Sequence, residues 1–135
     1  MKTIWRETRL TMVESKSRKA SFLRDAIREV PLSHTSVVEA RFEKTAGIAA
    51  TADLVTVRAV KADSVLYIAA YSALKAGGRF AMFCSAVKPS FDSMMSFEEA
   101  TGCDFNEGRN PAFAGPEEYE LPGQSSLLIW RKRNL

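Results

Sequence analysis

A short apolar strand that ends in an acid and runs directly into a basic helix start is the feature that most constrains this chain. The strand segment LTMVE spans residues 10–14, and the polar, basic segment SKSRK follows at residues 15–19. In α/β folds that bind nucleotides, a carboxylate at the carboxyl end of a strand can accept both ribose hydroxyls of an adenosine ligand. We therefore expect an α/β domain with a ligand edge near Glu14.

The residues before this acid lack the loop that normally accompanies it. The usual partner is a glycine-rich turn about 20 residues upstream, where backbone N–H groups approach the ligand. Only 13 residues precede Glu14, and none of them is glycine. We therefore expect a cofactor domain whose first strand and first loop are missing.

The remaining pattern alternates strands and helices. Apolar residues recur at helical spacing from Ser17 to Val30, and Pro31 stops that helix. Segments 36–40, 52–57 and 79–83 are typical of strands. Asp63 is a plausible cap for a helix that runs to Leu74, and a glycine turn at 75–78 follows it. The alternation predicts a mainly parallel sheet with both faces covered.

The carboxyl-terminal part departs from this alternation. One helical stretch is expected around Phe91–Phe97, within a region rich in proline and glycine. Segments 119–121 and 126–131 then flank Pro122-Gly123, which favours an antiparallel hairpin at the sheet edge. With 135 residues, the chain is expected to form one domain, residues 1–135.

Composition excludes several classes of protein. No apolar run approaches the roughly 20 residues that span a bilayer, and we expect a cytoplasmic protein. Cys84 and Cys103 have no CxxC partner, so we interpret both as reduced and structural, with no zinc site. His34, the only histidine, lacks a nucleophile or metal partner and is expected at the surface.

The net charge of +3 is small, but basic residues cluster. Five basic residues occupy the first helix, Lys16, Arg18, Lys19, Arg24 and Arg28, and three end the chain, Arg131, Lys132 and Arg133. Such clusters can neutralise phosphates, although most basic helix faces are simply solvated. Both interpretations stay open.

Four segments together resemble a known family. They are TMVESKSRKASFL (residues 11–23), VVEARFEK (37–44), ADLVTVRAV (52–60) and LKAGGRF (74–80). In order and spacing they resemble the small-subunit ribosomal RNA guanine-N7 methyltransferases, also called the glucose-inhibited division protein B family. The resemblance covers essentially residues 3–132, without the family's amino-terminal third. It implies a Rossmann-like class I methyltransferase sheet that lacks its first strand.

The resemblance also implies a cofactor and its contacts. Glu14 would hold the ribose of S-adenosylmethionine, and Phe42 and Glu43 would lie beside the adenine. Arg58 would face the methionine end or the target nucleotide. Ribosomal RNA would be the partner, with Lys16, Arg18 and Lys19 as candidate RNA contacts. Without the glycine-rich loop, cofactor binding is expected to be weak or absent.

Each of these site residues has a structural alternative. Glu14 could cap the helix that follows it. Arg41 and Glu43 could form a surface ion pair of little energy. Arg58 follows largely apolar strand residues and is costly to bury unless it is paired, which favours a role in the site.

No catalytic residue is expected. Guanine N7 already carries a free lone pair, so the resemblance implies a reaction that needs positioning more than it needs a base. The chain would be a methyltransferase-like enzyme in rRNA processing, impaired in isolation. The alternative is a non-enzymatic remnant that binds RNA or oligomerises. Loss of a central strand would leave two unpaired edges, which predicts a homo-oligomer or a strand-sharing dimer.

Overall fold

The computed structural model describes residues 7–30, 32–45, 49–58, 64–85 and 113–133. The chain divides into two compact units, Met1–Thr45 (unit 1) and Ala46–Leu135 (unit 2). Each unit is described by itself below. The prediction that residues 1–135 form a single domain stays a prediction.

Unit 1 is a strand–helix–strand element. Strand β1 spans Leu10–Glu14, helix α1 spans Ser17–Glu29 and strand β2 spans Thr35–Glu39. The two strands pair in parallel, with Leu10 opposite Thr35 and Glu14 opposite Glu39. The sequence predicted β1 with these bounds, and it predicted β2 one residue late.

Helix α1 packs on the strand pair through a narrow apolar stripe. Ala20 is fully buried, and Leu23, Ala26 and Ile27 are half-buried. Val30, predicted as the last residue of this stripe, follows the helix and is 53% exposed, so that expectation is wrong.

Unit 2 contains a mixed four-stranded sheet and a helix. Strand β3 spans Ala52–Arg58, helix α2 spans Ser64–Ala73 and strand β4 spans Leu74–Cys84. Strands β5 (Phe113–Leu121) and β6 (Ser125–Lys132) complete it. The strand order is β3-β4-β6-β5, with β3 and β4 parallel and the other pairs antiparallel. The predicted α/β class and the edge hairpin are both confirmed.

The predicted turn at residues 75–78 lies inside strand β4 instead of before it. Leu74 pairs with Ala52 and Arg79 pairs with Leu54, so the register shifts between these two pairs. Gly77 adopts a φ of 78°, a left-handed conformation that glycine reaches without steric cost. The glycine conformation was predicted correctly, but the strand begins five residues earlier than expected because Leu74 already pairs with β3.

An aromatic cluster forms the core of unit 2. Phe80 stacks on Trp130 with ring centroids 5.4 Å apart, and Tyr67 of α2 meets these two rings edge-on at 5.9 and 5.7 Å. Phe113 adds a further ring contact to Tyr71 at 5.6 Å. Offset and edge-to-face pairs of this kind add roughly 0.5–1.5 kcal/mol each beyond area burial. They fix α2 on one face of the sheet.

The face of this sheet opposite α2 carries exposed large side chains. Leu54 is 42% exposed, Phe83 42% and Tyr119 49%. The described helix of unit 2 covers the other face, and the predicted helical cover of this second face stays a prediction.

Several predictions lie outside the described residues. These are the helix around Phe91–Phe97, the Asp63 cap, the Pro31 stop and Cys103. Cys84 is described and is buried. Neither of the described helices is long and apolar enough to cross a membrane.

Candidate functional site

Glu14 lies at the carboxyl end of β1, half-buried, where the chain turns into α1. Its Oε1 accepts the backbone N–H of Lys16, the residue that caps α1, at 2.8 Å. Glu14 therefore stabilises the start of α1, which is the structural role considered for it from the sequence. A carboxylate offers about four lone-pair sites. One such bond leaves acceptor capacity, so the helix role and a ligand role are compatible.

A second acid, Glu39, lies beside Glu14, and sequence reasoning missed it. The two residues are register partners at the ends of β1 and β2. The Glu39 carboxylate pairs with Arg24 of α1, with Nη1 and Oε2 3.7 Å apart. The acid at the end of the second strand segment was the signal that could have identified this position. Arg24 offsets the charge that two adjacent carboxylates would otherwise concentrate here.

Phe42 and Glu43 lie in a 3₁₀ turn, Phe42–Lys44, that begins three residues after β2 ends. The Thr45 N–H donates to the Phe42 carbonyl at 3.1 Å, and the Thr45 hydroxyl donates to the same oxygen. Phe42 is half-buried. Because β1 and β2 are parallel, Glu14 and this turn follow the same edge of the strand pair.

The expected surface pair of Arg41 and Glu43 is present. Their Nη1 and Oε1 atoms are 3.9 Å apart, and the Arg41 side chain is 72% exposed. An exposed pair at this distance contributes about 0–1 kcal/mol. It therefore does little to hold Glu43 away from a ligand, and the role of Glu43 beside an adenine stays a prediction.

Arg58 is the last residue of β3 and is the register partner of Phe83. Its side chain is exposed, and it forms no ion pair with another described residue. Because Arg58 is exposed, the cost of burying it does not arise, and its role in the site stays a prediction. Arg58 belongs to unit 2, so its convergence with Glu14 and Glu43 stays a prediction.

The basic residues of α1 divide into two groups. Lys16, Arg18 and Lys19 are exposed around the first turn, which contains no acidic residue. Arg24 pairs with Glu39, and Arg28 pairs with Asp25. Cations near a helix amino terminus are unfavourable by a few tenths of a kcal/mol to about 1 kcal/mol. A bound anion would therefore stabilise Lys16, Arg18 and Lys19 more than the two paired arginines.

The remaining titratable candidates do not form a chemical centre. His34 is exposed, as predicted, in a left-handed conformation with a φ of 55°. Its carbonyl oxygen accepts the Leu10 N–H at 3.0 Å, which ties the loop to β1. Within the described ranges, no three His, Cys, Asp or Glu side chains are grouped as metal ligands would be.

Unit 1 fits the adenosine part of S-adenosylmethionine. Glu14 supplies an acceptor for the ribose hydroxyls, and Phe42 supplies a half-buried aromatic side chain that suits a base. Residues 1–45 contain no glycine, so this unit offers no glycine-rich loop for the methionine end. These side chains therefore suit the adenosine half of the cofactor and not its methionine half.

The sequence matches one protein family. The family described as rRNA small subunit methyltransferase G matches residues 1–91, about two thirds of the 135-residue chain. No curated protein matches the chain.

Solved structures with the same fold are distant in sequence. A possible exported protein from Bordetella parapertussis has a TM-score of 0.67 and 13% identity, over 93% of this chain and 54% of its own. PigF with SAH has a TM-score of 0.63 and 16% identity, over 97% and 45%. An rRNA methylase from Streptococcus thermophilus has a TM-score of 0.62 and 12% identity, over 92% and 73%. The chain spans about half the length of the first two, and at these identities the likeness shows the fold alone.

Proposed function

Because this chain belongs to the rRNA small subunit methyltransferase G family, we propose that its unit 1 holds the adenosine end of S-adenosylmethionine for methylation of ribosomal RNA. The family and the fold support a methyltransferase-like domain that depends on this cofactor. The cofactor, when bound, supplies an electrophilic methyl group on a sulfonium. The substrate and the site residues are the proposed part.

The position of Glu14 carries the proposal. Its carboxylate lies at the carboxyl end of a parallel strand and is fixed by the Lys16 N–H. A carboxylate held in this way can accept hydrogen bonds from both ribose hydroxyls without losing side-chain freedom on binding. Glu14 is therefore pre-organised for a vicinal diol.

Phe42 and Glu43 complete the adenosine site in this proposal. The 3₁₀ turn holds Phe42 half-buried at the same edge as Glu14. The ring packs against the adenine, and the Glu43 carboxylate or the backbone N–H of either residue supplies the polar contact. The turn is short and internally hydrogen-bonded, so it offers a defined geometry to the base.

In this proposal, methyl transfer to guanine N7 requires the protein to position the two reactants and to bind their charged groups. No catalytic base is assigned. Arg58, exposed at the carboxyl end of β3, binds either the methionine carboxylate or an RNA phosphate. Lys16, Arg18 and Lys19 contact the RNA backbone from the first turn of α1. Holding N7 in line with the methyl group supplies the rate enhancement.

Cofactor binding by the chain alone is proposed to be weak, with a dissociation constant on the order of a millimolar. Unit 1 contacts only the adenosine half, and residues 1–45 contain no glycine to bring backbone N–H groups close to the other half. The isolated chain is accordingly impaired as an enzyme.

Ligand-observed NMR with S-adenosylmethionine and three variants tests the role of Glu14. Glu14→Ala should abolish saturation transfer to the ligand, and Glu14→Gln should reduce it while keeping an acceptor for the Lys16 N–H. Glu29→Ala, an exposed acid at the other end of α1, is the control and should bind normally. Equal transfer in all three variants would contradict the proposal.

An oligomeric, non-enzymatic role is the second candidate, and the strand pairing favours it. Among the described strands, β1 pairs only with β2 and β3 pairs only with β4, so β1 and β3 each keep one open edge. Open edges are templates for another chain. Light scattering should then detect a species larger than the 15.0 kDa monomer at micromolar concentration. A monomeric peak throughout would remove this candidate.

A further inference from the structure

The face of the unit 2 sheet opposite α2 carries an unusual set of side chains. Side chains alternate between faces along each strand, and register partners share a face. One row across the sheet runs from Arg58 through Phe83 and Leu127 to Tyr119. We call this surface the open face.

A second row of the open face lies toward the other end of the sheet. It runs from Leu54 through Arg79 to Arg131, in register. Leu54 precedes Arg58 by four positions on β3, which separates the two rows by about 13 Å. Two arginines thus lie at one end of the face, and two aromatic rings lie at the other.

The Arg79–Arg131 pair points to an anionic ligand. The two residues are direct cross-strand partners, and both side chains are exposed. Like charges directly opposite each other on neighbouring strands destabilise a sheet. Neither arginine forms an ion pair with a described carboxylate. An anion between the two guanidinium groups would remove the repulsion and could be bound by both.

The aromatic residues of the open face indicate which kind of anion fits. Phe83 is 42% exposed and Tyr119 is 49% exposed, although both occupy strands of a packed sheet. Exposed rings on a sheet surface are stacking platforms for unpaired bases, and each stacked base contributes about 1–3 kcal/mol. A ligand that combines phosphates with planar bases would contact both the arginines and the aromatic rings of the open face.

We propose that the open face binds single-stranded nucleic acid, with phosphates at Arg79 and Arg131 and bases stacked on Phe83 and Tyr119. The proposed contacts all belong to unit 2 and include no residue of unit 1, so this binding can be tested without the cofactor.

Charge favours nucleic acid over a second protein copy as the occupant. The two rows contain three arginines, and the acid identified on this face, Glu117, accepts the Tyr119 hydroxyl at 2.8 Å. Phosphate neutralisation by arginine releases counterions and makes binding depend on salt. A second copy of this chain carries a net charge of +3 and supplies no comparable excess of negative charge.

Fluorescence anisotropy with the full chain and a labelled single-stranded oligouridine tests the proposal without any cofactor. Arg79→Gln combined with Arg131→Gln should weaken binding at least tenfold at low salt. It should also lower the slope of log affinity against log salt by about 1.4, the value for two lost phosphate contacts on a single strand. The matched control, Arg9→Gln with Arg28→Gln, removes two exposed charges from unit 1 and should bind as the wild type does.

Aromatic variants separate stacking from packing. Phe83→Ala and Tyr119→Ala should each weaken binding about fivefold or more, whereas Phe83→Tyr and Tyr119→Phe keep the ring and the affinity. Unchanged affinity in the double arginine variant would overturn the proposal. A second result would also overturn it: Phe83→Ala keeps its affinity for RNA, and sedimentation shows that this variant has lost a dimer that the wild type forms. The open face would then be an interface between two copies of the chain.

Discussion

Lys132 of β6 donates a hydrogen bond from Nζ to the carbonyl oxygen of Leu74, 2.8 Å away, at the junction of α2 and β4. It also donates to the Tyr71 carbonyl at 2.8 Å, and its ammonium lies 4.1 Å from the centroid of the Tyr71 ring. The last carbonyls of a helix have no partner within the helix and carry partial negative charge. Lys132 satisfies the Tyr71 carbonyl in this way, and burial lowers the pKa of Lys132.

This contact corrects one interpretation of the basic residues at the end of the chain. Arg131, Lys132 and Arg133 form a cluster in sequence, which made all three candidates for phosphate contact. Lys132 instead connects three elements of unit 2, while Arg131 is exposed on the open face. Neighbouring side chains in a strand point to opposite faces of the sheet. Consecutive basic residues such as Arg131 and Lys132 therefore have different roles, one at the surface and one in packing.

Replacement of Lys132 by methionine should lower the free energy of unfolding of unit 2 by about 2 kcal/mol. The variant loses two hydrogen bonds from a charged donor and the cation at the end of α2. Urea unfolding followed by the fluorescence of the buried Trp130 measures the change. Arg131→Met is the control and should change stability by less than about 0.5 kcal/mol. Equal stability of the two variants would show that the Lys132 contacts contribute nothing.

Tyr67 should make the protein less stable at alkaline pH. Burial, with a smaller contribution from Cys84, raises the pKa of Tyr67 from 10.0 to about 12. The folded state therefore holds this proton more tightly than the unfolded state does. The stability that results is fully present below pH 10 and is lost as the pH rises from 10 toward 12. The loss is on the order of 2–3 kcal/mol in total.

Tyr67→Phe should remove this alkaline component. Urea midpoints measured from pH 9 to pH 11 should fall less in Tyr67→Phe than in the wild type, because the variant has no hydroxyl to deprotonate. Tyr71→Phe removes a hydroxyl from the same helix and should follow the wild type. Parallel pH profiles for Tyr67→Phe and wild type would contradict the assignment.

Arg58→Ala should cost little stability and should abolish binding of S-adenosylmethionine. The side chain is exposed and unpaired among the described residues, and surface substitutions of this kind change stability by about 0.5 kcal/mol or less. Thermal unfolding and ligand-observed NMR on the same sample separate the two effects. An unfolded variant whose residual folded fraction still binds would make Arg58 a structural residue.

The sequence predicted most elements because their patterns are local. Strand β1, helix α1 and the hairpin of β5 and β6 each follow from apolar periodicity and from turn residues within a few positions. The turn at 75–78 was placed before β4 because glycine favours the left-handed turn that ends a helix. Pairing of Leu74 with Ala52 draws these residues into the strand, and no local pattern reports such a contact.

The candidate site was only partly predictable. Glu14 was identified because a terminal acid stands out against an apolar strand, but its bond to the Lys16 N–H depends on the angle of the turn. Glu39 was missed because its place beside Glu14 comes from strand register. Arg58 was assigned to the site because its burial would be costly without a partner, whereas its side chain is exposed at the end of β3. Register and exposure are tertiary properties that a single sequence does not display.

The position of Glu14 and the 3₁₀ turn at one strand edge is the central claim, and an amide chemical-shift map tests it most directly. In a titration of ¹⁵N-labelled chain with S-adenosylhomocysteine, the Lys16 amide and those of residues 42–45 should shift in fast exchange, with half-saturation on the order of 1 mM. The same signals left unmoved at several times that concentration, or shifts confined to unit 2, would contradict an adenosine site in unit 1.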